Sequence, residues 1–324
     1  MFDKAFGLQS EGFILAQNGE TLGLLAPSTI FGIDNDGIRY FWGPKGISRI
    51  RAELGIDQVI NALELCGSIL KGTEGAIRTV NNLLLDPRSS RTTSYFACNG
   101  MSCNQIAAAL QNIERAHIAI IGCGGIGSSV AMLLAGAGVN KLTLVDGDVI
   151  EQSNLNRQLF WTKSDIDQPK VTTLHKRIAE RFDDCEVTTI AEQITKASIL
   201  SIGGTCDGLV ITADEPISIV SESPEIARTL NIPVVSSGYM HSKAMAFCFP
   251  GNTNFVLKTN EDKDFWQRFP QGVMPSFGPT NMALAAHISS SLLNVIVRDK
   301  CELPSVAVRW DTAVQPHQFA TEIL

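Results

Sequence analysis

The stretch that most constrains the fold is Ile118 to Lys170, IAIIGCGGIGSSVAMLLAGAGVNKLTLVDGDVIEQSNLNRQLFWTKSDIDQPK. Its first apolar run, Ile118 to Ile121, is too short for a helix and meets a glycine cluster at Gly122, Gly124, Gly125 and Gly127, which predicts a buried strand and a tight turn. A helical pattern follows, with Val130, Leu133 and Leu134 on one face, and it stops at Gly136 to Gly138. A second apolar run, Leu142 to Val145, ends in Asp146. The product is a β-α-β unit with a carboxylate at its second strand end. A backbone without Cβ can press against a phosphate, and the start of a helix offers free N–H groups and a positive dipole. A nucleotide is therefore expected there, with Asp146 accepting hydrogen bonds from ribose hydroxyls. A glycine turn that only packs helix on strand is the alternative.

The segment after Asp146 narrows the choice of nucleotide. It places Asp148, Asn154, Asn156, Arg157, Gln158 and Lys170 close behind the acid, and a further short strand, Val210 to Thr212, leads into Asp214. The combination of G-x-G-G-x-G, D-x-D-x-[VI], N-x-N-R-Q and a following lysine resembles the adenylyltransferases related to ubiquitin-activating enzymes. These include the activators of sulfur-carrier proteins for thiamin and molybdopterin, and the microcin-type enzymes that act on ribosomally made peptides. The resemblance covers about Arg88 to the C-terminus.

It implies attack of a carboxylate on the α-phosphate of ATP. Gly122, Gly124, Gly125, Gly127, Asp146, Asp148, Asn154, Asn156 and Gln158 would bind the nucleotide, Arg157 and Lys170 would hold the β and γ phosphates, and Asp214 would hold Mg2+. Relatives carry an R-x-x-R-like pair whose second arginine reaches the triphosphate in the partner of a homodimer. Arg88 and Arg91 keep that spacing, so Arg91 is the candidate, with an ordinary linker arginine as the alternative. For Arg157 and Lys170 the alternative is a salt-bridge set with Asp165, Asp167 or Glu151.

Strand and helix alternate downstream. Helix is expected from Lys170 to Arg181, strand at Glu186 to Ile190, helix at Pro224 to Leu230 and strand at Val234 to Ser236, with antiparallel strands at Phe247 to Phe249 and Phe255 to Leu257. The expected fold is α/β: a doubly wound, mostly parallel Rossmann-like sheet with an antiparallel extension, spanning 87–324. Residues 258–277 are hard to assign and are either a loop over the substrate tail, as in relatives, or a plain surface loop.

Residues 1–86 read differently. Asn18-Gly19 and Asn35-Asp36-Gly37 separate strand-like runs, and helical patterns follow at Ser48 to Leu54, Asp57 to Leu70 and Thr73 to Leu85. In length and element order this small α+β module resembles the winged-helix-like unit of microcin-type enzymes, which clamps a precursor peptide against a strand edge. A packing or dimerisation module is the alternative. The reading is thus adenylation of a carboxylate or terminal amide on a ribosomal precursor peptide, in natural-product biosynthesis. Activation of a sulfur carrier ending in Gly-Gly, and a non-catalytic nucleotide-binding scaffold, remain as alternatives.

A net charge of −7 argues against a nucleic-acid partner, which requires clustered Lys and Arg. No signal-peptide pattern opens the chain, so a cytoplasmic location is expected. Residues 275–297 carry no charge, but two prolines, two asparagines and a serine run argue for a buried or dimer-facing helix rather than a membrane span. The eight cysteines form no C-x-x-C pair and the five histidines are not closely spaced, so no zinc is expected. No cysteine matches a catalytic thiol of the family.

Overall fold

The computed structural model describes residues 8–51, 53, 55–216, 219–255, 275–298, 303–314 and 319–324. The chain divides into two compact units, Met1–Gln111 and Asn112–Leu324.

The first unit holds two antiparallel sheets. β1 (Gln9–Glu11), β2 (Ile14–Gln17), β3 (Glu20–Leu25) and the later β7 (Ile69–Leu70) form one, in that order. β4 (Ile30–Ile33), β5 (Ile38–Gly43) and β6 (Gly46–Arg51) form the other. Asn18 and Gly19 both take left-handed backbone, with φ of 53° and 84°, as a two-residue hairpin demands. Helices α1 (Ile56–Leu65), α2 (Glu74–Leu85) and α3 (Ser90–Cys98) follow, and α4 (Cys103–Arg115) carries the chain into the second unit. Thr73 caps α2 by accepting from Ala76 N–H. The core of the unit gathers Leu15, Phe41, Val59, Leu63 and Ile69.

Two expectations are corrected here. Ser48 to Leu54 does not begin a helix: residues through Arg51 are β6, paired residue by residue with β5 across the turn at Gly43 and Gly46. The spacing of Ile47, Ile50 and Leu54 fits a helix as well as a strand, and sheet pairing overrides it. The helix expected to reach Leu70 ends at Leu65, and Ile69–Leu70 joins β3 instead.

The second unit is built on an eight-stranded sheet in the order β10-β9-β8-β11-β12-β13-β14-β15. Its strands are β8 (His117–Ile121), β9 (Lys141–Val145), β10 (Glu186–Ile190), β11 (Gly208–Ile211), β12 (Val234–Met240), β13 (Lys243–Phe249), β14 (Val306–Asp311) and β15 (Ala320–Ile323). The first five run parallel and the last three antiparallel, the mixed arrangement expected from the sequence. Its helices are α5 (Gly127–Ala137), α6 (Lys170–Ala179), α7 (Lys196–Gly203), α8 (Ser223–Leu230) and α9 (Gly278–Ile296). In α5, Val130 and Leu134 are buried but Leu133 is 40% exposed, so the buried face does not include it. α9 buries Leu284, Ala285, Ile288 and Leu292, and among the described residues no helix is long and apolar enough to cross a membrane. The strand expected at Phe255 to Leu257 reaches beyond the described residues, as does most of 258–277.

This topology sets the position of the site. From β8 the chain steps one way to β9 and β10, then returns to place β11 on the other side of β8. The crevice at the C-terminal ends of β8 and β11 is a topological switch point, where open α/β sheets bind ligands.

Candidate active site

The glycine turn occupies that crevice. Gly122 has φ +90°, and a Cβ there would lie 2.5 Å from Ala213 N. A Cβ on Gly127 would lie 1.8 Å from Gly122 O and 2.6 Å from Thr212 Oγ1. Both positions are therefore glycine because the turn folds onto itself and onto the end of β11, where Thr212 donates to Gly122 O at 2.8 Å. The hydroxyls of Ser128 and Ser129 donate to the carbonyls of Gly124 and Gly125 at 2.7 Å and 3.0 Å. Ser128 and Val130 N–H also donate to the carbonyls of Gly124 and Ile126, at 3.0 Å and 2.9 Å, so the carbonyls are engaged and the positive end that suits a phosphate lies in the turn ahead of Ser128. Gly124 is different: a Cβ there would meet only Gln158 Nε2, at 3.7 Å.

Asp146, at the end of β9, is buried, and its carboxylate accepts from Cys123 N–H at 2.7 Å and Asp148 N–H at 2.8 Å. These bonds lock it beside the turn. Burial raises its pKa, against the opposing pull of Lys170 and the two N–H groups. Asp148 is shifted the other way: its partial burial is outweighed by the hydrogen bond and charge of Lys170, whose Nζ lies 2.7 Å away. The lysine side chain is 9% exposed and its carboxylate partner 58%, so the ion pair has a dry end and a wet end.

The loop between Asp148 and Lys170 is closed at its root by Lys170 N–H to Asp148 O and Ile150 N–H to Gln168 O. Arg177 of α6 ties it further, donating to Phe160 O and pairing with Asp165 at 2.7 Å. Asp165, considered above as a partner for Arg157 or Lys170, is thus taken by Arg177. Within the loop Asn154 is buried and braces the backbone, accepting from Glu151 N–H. Arg157 donates to Ser153 O at 2.6 Å and Asn156 Oδ1 at 3.0 Å, both through Nη1. Gln158 is buried, and Trp161 Nε1 donates to its Oε1 at 2.6 Å. Because an indole N–H only donates, this fixes the amide orientation and turns the Gln158 NH2 toward Gly124.

Asp214 lies just beyond β11, across the switch point from Asp146, and is exposed. Among the described residues no three His, Cys, Asp or Glu side chains converge on a metal position. A single carboxylate, next in sequence to the Ala213 that packs on Gly122, would suffice for Mg2+, which takes most of its ligands from phosphate and water. Arg91 is an exposed residue in the first turn of α3, in the other unit.

The sequence reading missed Trp161, the two serines of α5, and Asn281 of α9, whose amide fills the space that a Gly125 side chain would take. The signal available for the last was Gly278-Pro279, a helix start three residues upstream. Burial pushes the Cys123 thiol well above its ordinary pKa and Cys248 to about 12, so neither is an activated nucleophile.

Comparison with known proteins decides the family. The ThiF family matches residues 102–318. The chain belongs to the ThiF family. Among ThiF-family relatives, the sulfur carrier protein ThiS adenylyltransferase of Escherichia coli is 31% identical over 127 residues, 39% of this chain and 50% of the relative. The tRNA threonylcarbamoyladenosine dehydratase of Bacillus subtilis is 32% identical over 128 residues, 40% and 50% of the two chains. The chain thus spans about half the length of these curated relatives. In fold it is similar to E. coli MccB crystallised with AMPCPP and MccA, with a TM-score of 0.70 and 18% identity, over 92% of this chain and 96% of that one.

Proposed function

We propose that this ThiF-family chain is an ATP-dependent adenylyltransferase that activates a carboxylate, or a terminal amide, on a ribosomally made precursor peptide. The observation that carries the reading is the span of the structural likeness: MccB, described as a microcin C7 biosynthetic enzyme in complex with N-formylated MccA, aligns over 92% of this chain. That span extends well beyond the 127 residues matched in the ThiS adenylyltransferase. The first unit would then anchor the peptide at a strand edge, where main-chain hydrogen bonds supply affinity.

A carboxylate is ionised near neutral pH, so the reaction requires neither a general base nor a nucleophilic side chain. Its requirement is position, together with neutralisation of phosphate charge. The glycine turn would seat the phosphates, Asp146 the ribose, and the Gln158 amide a phosphate oxygen. Lys170 would leave its wet partner Asp148 for the triphosphate, and Arg157 would approach it from the loop. Mg2+, held by Asp214 with phosphate oxygens and water, would supply charge neutralisation. We further propose a homodimer, with Arg91 reaching the partner's triphosphate, and a cytoplasmic location.

Sulfur-carrier activation is the second reading, favoured by the 31% identity to the ThiS adenylyltransferase. Pyrophosphate exchange into ATP separates the two. Exchange driven by a precursor peptide and not by a Gly-Gly carrier supports the first, and the reverse result replaces it with the second.

A further inference from the structure

Beside the glycine turn sits a group of side chains to which the reading above gives no task. Ser276 Oγ accepts from Tyr239 O–H at 2.7 Å and from Asn281 Nδ2 at 3.4 Å. The Tyr239 oxygen itself accepts from Phe277 N–H at 3.3 Å, which leaves the phenol proton for Ser276. Ser276 is half-buried, and with its oxygen accepting twice, its own proton is the part of the group left to donate.

The group is tied to the nucleotide turn. The Asn281 amide nitrogen lies 2.2 Å from the position of a Gly125 Cβ, so one amide bridges Gly125 and Ser276. A Cβ on Gly278 would lie 3.7 Å from Arg157 Cα, which sets the start of α9 against the Arg157 loop. Tyr239 belongs to β12, which runs parallel beside β11 with Ser236 opposite Ile211, so it lies toward the same C-terminal strand ends as Asp214.

Asn281 also carries an unexplained cost. It is 2% exposed, and its Oδ1 is buried with no hydrogen-bond partner among the described residues. In this orientation Nδ2 donates to Ser276 and leaves the hydroxyl proton free; turning the amide over would set Oδ1 against that hydroxyl, take up its proton, and bury the NH2 without a partner in place of Oδ1. The arrangement makes sense if the task of Asn281 is to hold that hydroxyl.

We propose that the Ser276 O–H receives the acyl oxygen of the substrate, with Tyr239 and Asn281 as the positioning residues that aim it. This rests on the adenylyl-transfer reading. In that reaction one carboxylate oxygen bonds to the α-phosphorus, the bond from that phosphorus to the bridging oxygen of the β-phosphate breaks, and pyrophosphate leaves with the electron pair. No proton moves. The second carboxylate oxygen becomes the acyl carbonyl, and a neutral hydroxyl can donate to it both before and after the change.

The test compares AMP with glycyl sulfamoyladenosine, a stable mimic of an acyl-adenylate, by calorimetry on the full chain. The wild type should bind the glycyl compound more tightly than AMP. Ser276→Ala should shrink that gain about tenfold, the size of one hydrogen bond, and leave AMP affinity unchanged. Ser276→Thr should restore most of the gain, and Tyr239→Phe should fall between. A Ser276→Ala protein that keeps the full gain overturns the proposal, as does a wild type that gains nothing from the glycyl group. A wild type that binds neither compound defeats the adenylyl-transfer reading itself, which separates the two failures.

Discussion

Two alanine substitutions in the glycine turn should have opposite consequences, because the two positions face different surroundings. At Gly127 the new Cβ would sit 1.8 Å from the Gly122 carbonyl oxygen and 2.6 Å from Thr212 Oγ1. The first of these is backbone at the end of β8, so relief requires moving a buried strand end rather than a flexible side chain. Overpacking of this kind costs about 1–3 kcal/mol and occasionally more, and alanine returns about 1 kcal/mol through helix propensity. A clash at 1.8 Å with fixed backbone belongs at the upper end, so the net loss should be about 2 kcal/mol. In a unit of this size that lowers the melting temperature by about 4–8 °C.

At Gly124 the Cβ meets nothing nearer than Gln158 Nε2 at 3.7 Å, an ordinary contact. Gly124→Ala should therefore melt with the wild type. Its methyl group would nonetheless occupy the side from which a phosphate approaches, and nucleotide affinity should fall about tenfold or more. Thermal unfolding and ATP calorimetry on both variants make the comparison. Wild-type stability in Gly127→Ala would refute the closure of the turn on β11, and wild-type ATP affinity in Gly124→Ala would remove the phosphate from this turn.

Other predictions follow from the same geometry. Asp214→Ala should abolish pyrophosphate release while lowering stability by less than about 1 kcal/mol, the scale of a contact made by an exposed side chain; near-normal release would take Asp214 out of the site. Lys170 holds the Asp148 carboxyl below the ordinary carboxylate range. The stability from that pair is complete above the unfolded value near pH 4, persists somewhat below it, and is lost as pH falls through the folded value; with Asp148 largely exposed it amounts to less than about 1 kcal/mol. In Lys170→Met the Asp148 titration should move up, which carboxyl-carbon NMR reads directly, and an unmoved midpoint would mean that the pair does not form in solution. A bound precursor peptide should slow hydrogen exchange in β4, whose four residues are all exposed; protection confined to the second unit would make the first unit structural.

The sequence was most legible where local chemistry and tertiary role coincide. Ile118 to Ile121, the glycines and Asp146 form strand, turn and strand end for the same reasons that make them a candidate nucleotide site, so one pattern carries both. It was least legible where pairing partners decide. Ile47, Ile50 and Leu54 satisfy a helical period, yet a turn at Gly43 and Gly46 folds this run onto β5. β15 is exposed along its whole length and joins the sheet through backbone pairing with β14, which leaves no periodic signal. α7 is short, and its Thr195 cap, which accepts from Ser198 N–H, went unread. Asn281 reaches the glycine turn from α9, far downstream, and no spacing rule along the chain brings it there; Trp161 lies only three residues after Gln158, but an indole in a loop has no periodic pattern to mark its role.

The most direct test of adenylyl transfer is to follow the carboxylate oxygen. A precursor peptide labelled with oxygen-18 in its reacting carboxylate is incubated with ATP and the protein, and the AMP formed is weighed by mass spectrometry. The bond formed at the α-phosphorus comes from the carboxylate, and later attack at the acyl carbon leaves that oxygen on phosphorus. The account predicts AMP carrying one oxygen-18 atom, with pyrophosphate unlabelled. AMP without label, or ADP and phosphate in its place, would contradict it.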